Sequence, residues 1–329
     1  MTPVRWGIIA PGKIAHKFAS DLTQYRPDSI VSVASSHADR ACDFAKRFGI
    51  ATWYGNYREM LEKEKLNVVY IASPHAFHFE QVKLCLEMDV SVLCEKPVTI
   101  NAAQLEQLIQ LASGKGLFFM EALWSLFLPT FRKIFACIKE GEIGNITGVK
   151  ADFGFQMPFD ETSRLFNPEL GGGSLLDIGI YPLLLATSCL GEPLEVKAFA
   201  SLTQHQIDNE ITAILSYKHS RLAQIHASIR SNTKTEAFIY GDKGTIWIPN
   251  RWIDSPSFYL LNNDGKVDLF KSSWHGFGYQ FQAMEVEKCL STGLQQSETA
   301  PVTLSLQLMR LMDQIRFQTG IVYQEDQLF

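Results

Sequence analysis

Two short motifs in the sequence combine groups that can move a proton during a redox reaction. The first, "EKP" at 95–97, directly follows the apolar run 90–94 and carries Lys96 out of it. An ammonium group there can hydrogen-bond a substrate hydroxyl and lower the pKa of a neighbouring acid–base group. The second, "DIGIYP", places Asp177 and Tyr181 four residues apart on one face of an apolar helix. A tyrosine beside a lysine is a general acid/base for a hydroxyl whose carbon loses hydride, so the predicted catalytic residues are Lys96, Tyr181 and Asp177.

Each of these groups also has a structural interpretation, which the sequence leaves open. Lys96 can be a surface lysine paired with Glu95, although a lysine leaving a buried strand is rare without a function. Tyr181 can be a core aromatic and Asp177 a helix cap. Pro182 removes one helical hydrogen bond, so the helix either begins late or bends there.

The first apolar run, 4–10, opens into a glycine turn that is typical of a dinucleotide-binding site. The fingerprint G-x-G-x-x-G/A follows a strand and opens a helix, and here Ala10, Gly12 and Ala15 take its three places. Gly12 lets the backbone approach a pyrophosphate, which the first N–H groups of the helix bind. The predicted contacts to the cofactor in this turn are Ala10, Pro11, Gly12, Lys13 and Ile14.

The end of the second apolar run, 30–35, bears on the choice between NAD and NADP. An NAD site carries an Asp or Glu on the ribose about 20 residues after the glycines. This chain has Ser35, Ser36 and His37 there, with Arg40 three residues further on. Hydroxyls, an imidazole and a guanidinium suit a 2′-phosphate, so NADP(H) is favoured over NAD(H). The alternative is that these are solvated loop residues.

Polar residues after the next two apolar runs are predicted to line the same edge of the sheet. The spacing of His75 and His78 fits no standard zinc pattern, so no metal site is predicted. The residues assigned to the cofactor in these two loops are Ser73, Pro74, His75, His78, Glu95, Lys96 and Pro97.

The elements that must position these residues fall into two groups. Residues 1–122 alternate apolar strands with helices, which is typical of a Rossmann domain with a doubly wound parallel sheet covered on both faces. Residues 123–329 hold long strands in succession, and several alternate in exposure. They predict an α+β domain with a large, mostly antiparallel open-faced sheet. The fold class is α/β, and the C-terminal helix is free to pack back on the first domain.

Composition excludes several classes of protein. The chain has 329 residues and a formal net charge of −5, which gives no basic footprint for nucleic acid. No uninterrupted apolar run approaches the ~18 residues of a membrane span. The six cysteines are scattered without a CxxC pair, which favours a reducing, cytoplasmic location.

With these residues identified, the chain resembles the Gfo/Idh/MocA family of glucose-fructose-oxidoreductase-like, NAD(P)-dependent dehydrogenases over essentially its whole length. The resemblance rests on "GIIAPGKIA", "YIASPHAFHFEQ", "CEKP", "GGGSLLDIGIYP" and "SLQLMRLMDQIRFQTGIVY". The segment "MEALWSLFLP" (120–129) is similar to the subgroup that contains dimeric dihydrodiol dehydrogenases and NADP-dependent D-xylose dehydrogenases.

The resemblance implies that Lys96 and Tyr181 flank the nicotinamide with Asp177 nearby. Tyr181 stands where many relatives have histidine, which again points to that subgroup. Ser36 stands where NADP-using relatives often have arginine, a departure that weakens the choice of NADP(H). The implied reaction moves a hydride between nicotinamide C4 and a hydroxyl-bearing carbon of a sugar, cyclic polyol or trans-dihydrodiol.

The resemblance also implies a homodimer formed through the C-terminal sheet, with a higher oligomer left open. Aromatic side chains are candidates for the wall of the substrate pocket, core roles being the alternative for each. These are Trp124, Phe153 and Phe155. Two other functions stay open on the sequence alone. One is a non-catalytic sensor of NADP(H), and the other is a metal-dependent hydrolase that uses His75 and His78.

Overall fold

The computed structural model describes residues 3–327, which form two compact units. Unit 1 comprises the residues up to Thr99 together with Ala103–Phe127 and Trp274–Ser305. Unit 2 comprises Ile100–Ala102, Leu128–Ser273 and the residues from Leu306 onward. The chain crosses between the units five times, after residues 99, 102, 127, 273 and 305, so both units are discontinuous in sequence.

Unit 1 is built on a parallel sheet of six strands in the order β3-β2-β1-β4-β5-β6. The strands are β1 Trp6–Ile9, β2 Ile30–Ala34, β3 Thr52–Tyr54, β4 Val68–Ile71, β5 Ser91–Cys94 and β6 Phe119–Glu121. The helices are α1 Lys13–Tyr25, α2 Ala38–Phe48, α3 Tyr57–Lys63, α4 His78–Glu87 and α5 Ala102–Lys115. The predicted Rossmann sheet is confirmed.

The strand order reverses next to β1, because β1 pairs with β2 on one side and with β4 on the other. In open α/β sheets, ligands bind beyond the carboxyl ends of the strands at this reversal. Strands β1, β4 and β5 are buried along their whole length, as expected of a sheet covered on both faces. The sequence did not predict β3 and α3, since β3 has only three residues and none of them is buried.

Unit 2 is built on an eight-stranded sheet in the order β14-β13-β12-β11-β7-β10-β9-β8. Its strands are β7 Ile146–Gly154, β8 Glu195–Leu202, β9 Asp208–Ser216, β10 Leu222–Ser228, β11 Ala237–Gly241, β12 Gly244–Ile248, β13 Ser257–Asn262 and β14 Val267–Lys271. All adjacent pairs are antiparallel except β7 and β10, which run parallel. The predicted, mostly antiparallel sheet is confirmed, and β13 and β14 are additions to it.

The remaining helices are α6 Pro129–Lys139, α7 Ile180–Leu190, α8 Gln280–Thr292 and α9 Val302–Thr319. Helix α7 packs against β7 and β10, and α6 packs against β13, so one face of this sheet is covered. The opposite face carries a row of larger side chains in register across neighbouring strands. In order across the sheet these are Phe238, Trp247, Tyr259 and Leu269.

The returning segment attaches to unit 1 through α1 and β1. Asp21 of α1 is buried, and its carboxylate accepts hydrogen bonds from the backbone N–H groups of Phe277 and Tyr279. The indole of Trp6 donates to Glu287 on α8 over 3.3 Å. These bonds show that α8, which lies far along the chain, is part of the N-terminal unit.

Among residues 3–327, one helical stretch is long and apolar enough to cross a membrane, judged by length and composition. It runs from Pro168 to Leu190 with a mean hydropathy of 1.5, and 89% of its most apolar window is buried inside the structure. The sequence predicted no such stretch because polar residues interrupt its apolar runs. Since the core helix of a soluble protein passes the same test, this stretch is weak evidence for a membrane span.

Candidate active site

The cofactor half of the candidate site begins where β1 ends. Ala10 has a left-handed backbone, with φ of +62°, at a cost of roughly 1 kcal/mol for a residue with a side chain. The N–H of Gly12 donates to the Ala10 carbonyl over 2.7 Å, and α1 begins at Lys13. Within the described part of the chain, no side chain caps this helix, and its first turn holds no acid. Its first N–H groups therefore remain available to an anion, so these residues fit the pyrophosphate of a dinucleotide.

The loop after β2 presents small polar groups rather than a carboxylate. The Ser35 hydroxyl accepts a hydrogen bond from the His37 backbone N–H over 3.2 Å, which shapes the turn. Ser36 and His37 are exposed, with 3.1 Å between the Ser36 hydroxyl and the His37 ring. Arg40 is exposed in the first turn of α2, which also holds Asp39. The predicted 2′-phosphate residues thus lie together at one strand end.

His78 joins the loops that follow β4 and β5. Its ring nitrogens lie 2.8 Å from the Pro97 carbonyl oxygen and 2.9 Å from the Ser73 carbonyl oxygen. The ring is fully buried and meets the His75 ring edge-on, with 5.8 Å between their centroids. In the part of the chain that the structure describes, no group of three or more His, Cys, Asp or Glu could hold a metal ion. The imidazole of His78 ties the two predicted cofactor loops together.

Glu95, which the sequence left unexplained, is 7% exposed and accepts a hydrogen bond from the Tyr70 hydroxyl over 2.5 Å. Burial, and next the negative charge of Glu95, raise the pKa of Tyr70 well above its usual range. Lys96 follows at once, and its peptide bond to Pro97 is cis. The hydrogen bond from Tyr70 shows that Glu95 anchors the loop to β4.

A second buried acid at the same edge, Glu121 at the end of β6, was not predicted from the sequence. Its carboxylate accepts a hydrogen bond from the Val98 N–H over 2.9 Å. Burial raises the pKa of Glu121 to about 6, and the Val98 bond and the positive charge of Lys96 oppose that rise. Lys96 thus lies within electrostatic range of this acid.

Unit 2 carries a separate group of predicted site residues, where the chain enters α7. Leu175–Gly179 forms a π-helical turn, a feature found mostly at functional sites, and α7 starts at Ile180. The backbone stays right-handed helical from Ser174 through the π turn into α7, so Pro182 lies inside a continuous helical stretch and not at a helix start. Of the two explanations that the sequence left for this proline, a late start of the helix is therefore not the one observed, and the π turn directly before it is where the helix departs from α geometry.

Asp177 and Tyr181 are both buried, the first in the π turn and the second in the first turn of α7. The Tyr181 ring lies 5.7 Å from the Phe153 ring, which lies 6.0 Å from that of Phe155. Phe153 of β7 therefore lies beside the predicted catalytic tyrosine, and Phe155 lies next to Phe153. Trp124 belongs to unit 1, where it stacks on Tyr279 with 4.7 Å between centroids.

Arg164 is a member of this group that the sequence did not reveal. Both of its terminal nitrogens donate to one oxygen of Asp177, over 3.1 and 3.0 Å. The Arg164 side chain is 47% exposed, whereas that of Asp177 is 8% exposed. A side chain at Gly172 would lie 2.8 Å from the Arg164 carbonyl oxygen, so the glycine allows this close approach. The ion pair between Arg164 and Asp177 depends on the conformation of the loop between them, which no local sequence pattern predicts.

The fold and these groups together define the class of protein, an oxidoreductase with an NAD(P)-binding Rossmann domain. Residues 4–123 match the profile of the oxidoreductase family with an NAD-binding Rossmann fold, GFO/IDH/MocA, and residues 131–247 match the GFO/IDH/MocA C-terminal domain. The chain belongs to this family, and it is an enzyme.

Individual relatives match over nearly the whole chain. Trans-1,2-dihydrobenzene-1,2-diol dehydrogenase from Xenopus tropicalis is 32% identical over 97% of this chain and 99% of its own length. D-xylose 1-dehydrogenase (NADP(+)) from Hypocrea jecorina is 30% identical over 98% and 93%. A 3-ketoreductase from Actinomadura kijaniata, solved with NADP and TDP-benzene, superposes with a TM-score of 0.86 at 25% identity, covering 97% of this chain and 98% of that one.

We expect Glu121→Gln to change the pH dependence of stability. Because burial raises the pKa of Glu121 from 4.5 to about 6, the native state holds a proton that the unfolded chain has already released. The stabilisation is present below about pH 4.5 and is lost as the pH rises through about 6, a change of about 2 kcal/mol. The neutral amide of Glu121→Gln removes this loss, so the variant gains stability relative to wild type between about pH 4.5 and about pH 7.5.

Urea unfolding at these two pH values measures the difference. Glu62→Gln, which changes an exposed acid in α3, is the matched control and should follow the wild type. An equal pH slope in Glu121→Gln and wild type would contradict the assignment.

Proposed function

We propose that the protein is an NADP(H)-dependent dehydrogenase or reductase acting on a hydroxyl-bearing carbon of a sugar, cyclic polyol or trans-dihydrodiol. The observation that carries this is the buried pair of Asp177 and Tyr181 beside the rings of Phe153 and Phe155. A carboxylate and a phenol beside an apolar wall suit a compact molecule with one apolar face and several hydroxyls. The relatives named for a dihydrodiol and for D-xylose support the same substrate class.

The bound dinucleotide would supply the hydride acceptor or donor, and the protein supplies binding and proton transfer. We assign the pyrophosphate to the N-terminus of α1 and the ribose phosphate to the loop after β2. The loops after β4 and β5, linked by His78, complete the cofactor residues. The exposed Ser36, His37 and Arg40 support NADP(H) over NAD(H). So do the relative named for NADP(+) and the 3-ketoreductase solved with NADP.

We assign Tyr181 the role of general acid/base. It takes the proton of the substrate hydroxyl when the carbon that bears this hydroxyl gives up hydride, and it returns the proton in the reduction direction. Lys96 favours the deprotonated form of the oxygen by its positive charge. Asp177 orients the substrate through hydrogen bonds to its hydroxyl groups. The Arg164 guanidinium holds the Asp177 carboxylate in one orientation with two bonds to a single oxygen. Trp124 is retained as a candidate pocket residue.

We also propose a homodimer formed through the open face of the eight-stranded sheet, in a reducing cytoplasmic compartment. The rings of Trp247 and Tyr259 stack at 4.9 Å on that face, and those of Phe238 and Trp247 lie 6.2 Å apart. Leu269, at one end of the row, is half exposed. An exposed row of apolar side chains on neighbouring strands marks an interaction site, and a second copy would cover it with the same surface.

Lys96→Met and Tyr181→Phe should each lower kcat by about 10²-fold to 10⁴-fold, because each removes a group that assists proton transfer. NADPH oxidation or formation is followed by absorbance against a panel of aldoses, cyclic polyols, ketones and dihydrodiols. Lys83→Met, at an exposed lysine of α4, serves as the control. Near-normal turnover in either variant, with the fold intact, would rule out the assigned role.

Ser36→Asp should reduce the preference for NADPH over NADH by at least about tenfold. A carboxylate at the end of β2 repels a 2′-phosphate and accepts hydrogen bonds from a 2′-hydroxyl. The ratio of kcat/KM for the two cofactors measures the change, and Asp43→Asn on the exposed face of α2 is the control. A wild-type enzyme with a higher kcat/KM for NADH than for NADPH would contradict the proposed preference for NADP(H).

Trp247→Glu should convert the dimer to monomers, because it places a charge in the centre of the apolar row. Sedimentation velocity at several protein concentrations gives the mass of the species. Leu294→Glu introduces the same charge at an exposed position of unit 1 and should leave the mass unchanged. A monomeric wild type, or a dimer that survives Trp247→Glu, would exclude this interface.

A further inference from the structure

A buried ionic cluster in unit 2 is built around Arg316 near the end of α9. The residue is 4% exposed, and its guanidinium donates to Asp313 over 2.6 Å and to Asp326 over 2.6 Å. It also donates to the backbone carbonyl of Ile100 over 3.2 Å. An arginine held through both terminal nitrogens has a fixed orientation, because its planar fork matches the positions of its acceptors. The cluster is therefore a rigid point of attachment.

One segment held by the cluster follows the EKP motif. Ile100–Ala102 belongs to unit 2 although the residues on both sides of it belong to unit 1. In addition to the bond from Arg316 to Ile100, the Ala102 N–H donates to Asp313 over 2.8 Å. The Asn101 side chain donates to Asp326 over 3.2 Å. Each residue of the segment is thus bonded to the C-terminal part of the chain, beginning four residues after Lys96.

The other segment held from the same region precedes Asp177. Tyr323 lies against Arg316, with 5.2 Å from the guanidinium carbon to the centre of its ring. Its backbone N–H donates to Asp326 over 2.9 Å, and its hydroxyl donates to the Gly172 carbonyl over 2.5 Å. One tyrosine therefore bonds both to the ionic cluster and to the glycine five residues before Asp177.

The backbone next to Gly172, at Gly173, leaves no room for a side chain. A side chain at Gly173 would lie 3.0 Å from the Tyr323 hydroxyl oxygen and 2.2 Å from an oxygen of Asp208. Asp208 accepts hydrogen bonds from the Ser174 hydroxyl over 2.7 Å and from the Leu175 N–H over 2.6 Å. The glycines and the first residue of the π turn are consequently fixed by Tyr323 from one side and by Asp208 from the other.

We propose that Arg316 and Tyr323 form a clasp that positions two segments at once, the one that follows Lys96 and the one that leads into Asp177 and Tyr181. Both are positioning residues, since they act through backbone groups of these segments. The catalytic consequence rests on the proposed function of Lys96, Asp177 and Tyr181. Small misplacements of reacting groups cost up to about 10²-fold in rate, so loosening the clasp lowers turnover while cofactor binding is retained.

Tyr323→Phe is the sharpest variant, because it removes one hydroxyl and keeps the ring against Arg316. Tyr217→Phe is its matched control, a buried tyrosine of the same unit whose hydroxyl has no hydrogen-bond partner among the described residues. Hydrogen exchange followed by mass spectrometry should show faster exchange at 170–178 in Tyr323→Phe, which loses the bond to Gly172, and at 98–102 in Arg316→Lys, which loses the fork that holds Ile100. Segment 13–25 should exchange as in wild type, and Tyr217→Phe should leave all three segments unchanged.

The kinetic readout is a split between turnover and cofactor affinity. Tyr323→Phe should lower kcat by about tenfold or more, leave the Kd of NADPH within about twofold, and raise the primary isotope effect with 4-deuterated NADPH. Arg316→Lys keeps the charge but loses the fork, and it should show the same split. A loss of kcat that comes with an equal loss of NADPH affinity would indicate general destabilisation and overturn the proposal.

Exchange that is unchanged in both segments would also overturn it. The two hypotheses fail separately. A wild type that turns over no member of the substrate panel refutes the proposed function. Faster exchange at 170–178 in Tyr323→Phe and at 98–102 in Arg316→Lys would still support the clasp as a physical link.

Discussion

Six parallel strands bring their carboxyl ends to one edge, and the structure around the cofactor half-site follows from that constraint. Each strand end leaves backbone and side-chain polar groups that must find partners close to a buried core. The partners are supplied from neighbouring strand ends. Tyr70 of β4 donates to Glu95 after β5, and His78 at the start of α4 bridges the Ser73 and Pro97 carbonyls. Glu121 of β6 accepts from the Val98 N–H. The loops that carry the predicted cofactor residues are therefore cross-linked to each other.

These cross-links also determine the electrostatics around Lys96. Two acids, Glu95 and Glu121, lie within the same edge, and burying both as carboxylates would be costly without compensation. Glu95 receives the Tyr70 hydroxyl, and Glu121 receives a backbone N–H together with the field of Lys96. The positive charge of Lys96 lowers the pKa of Glu121, so the lysine and this acid stabilise each other's charged forms. The EKP motif at 95–97 is therefore part of a polar network that also includes Tyr70 and Glu121.

The sequence was sufficient for the elements whose patterns are local. The buried strands, the turn at Ala10 and Gly12, and the apolar helix that carries Tyr181 were predictable from apolar runs and turn residues, whereas the π turn that carries Asp177 was not. The half-exposed strand β3 was missed, because three residues give no period to recognise. Arg164, Glu121 and Arg316 were missed for another reason. Their partners are remote in sequence or lie across a loop, and a charged residue in sequence looks the same whether it is solvated or buried.

The glycine run before α7 is explained by close packing within the protein. In this fold, a side chain at Gly172 would lie within 2.9 Å of three backbone carbonyl oxygens, those of Arg164, Leu165 and Asn167. Gly173 has φ of +117° and faces Asp208 and Tyr323. The glycines are needed for close packing of protein on protein. That packing places Arg164 on Asp177, so the motif contributes to the chemistry through the position of a carboxylate and requires no ligand of its own.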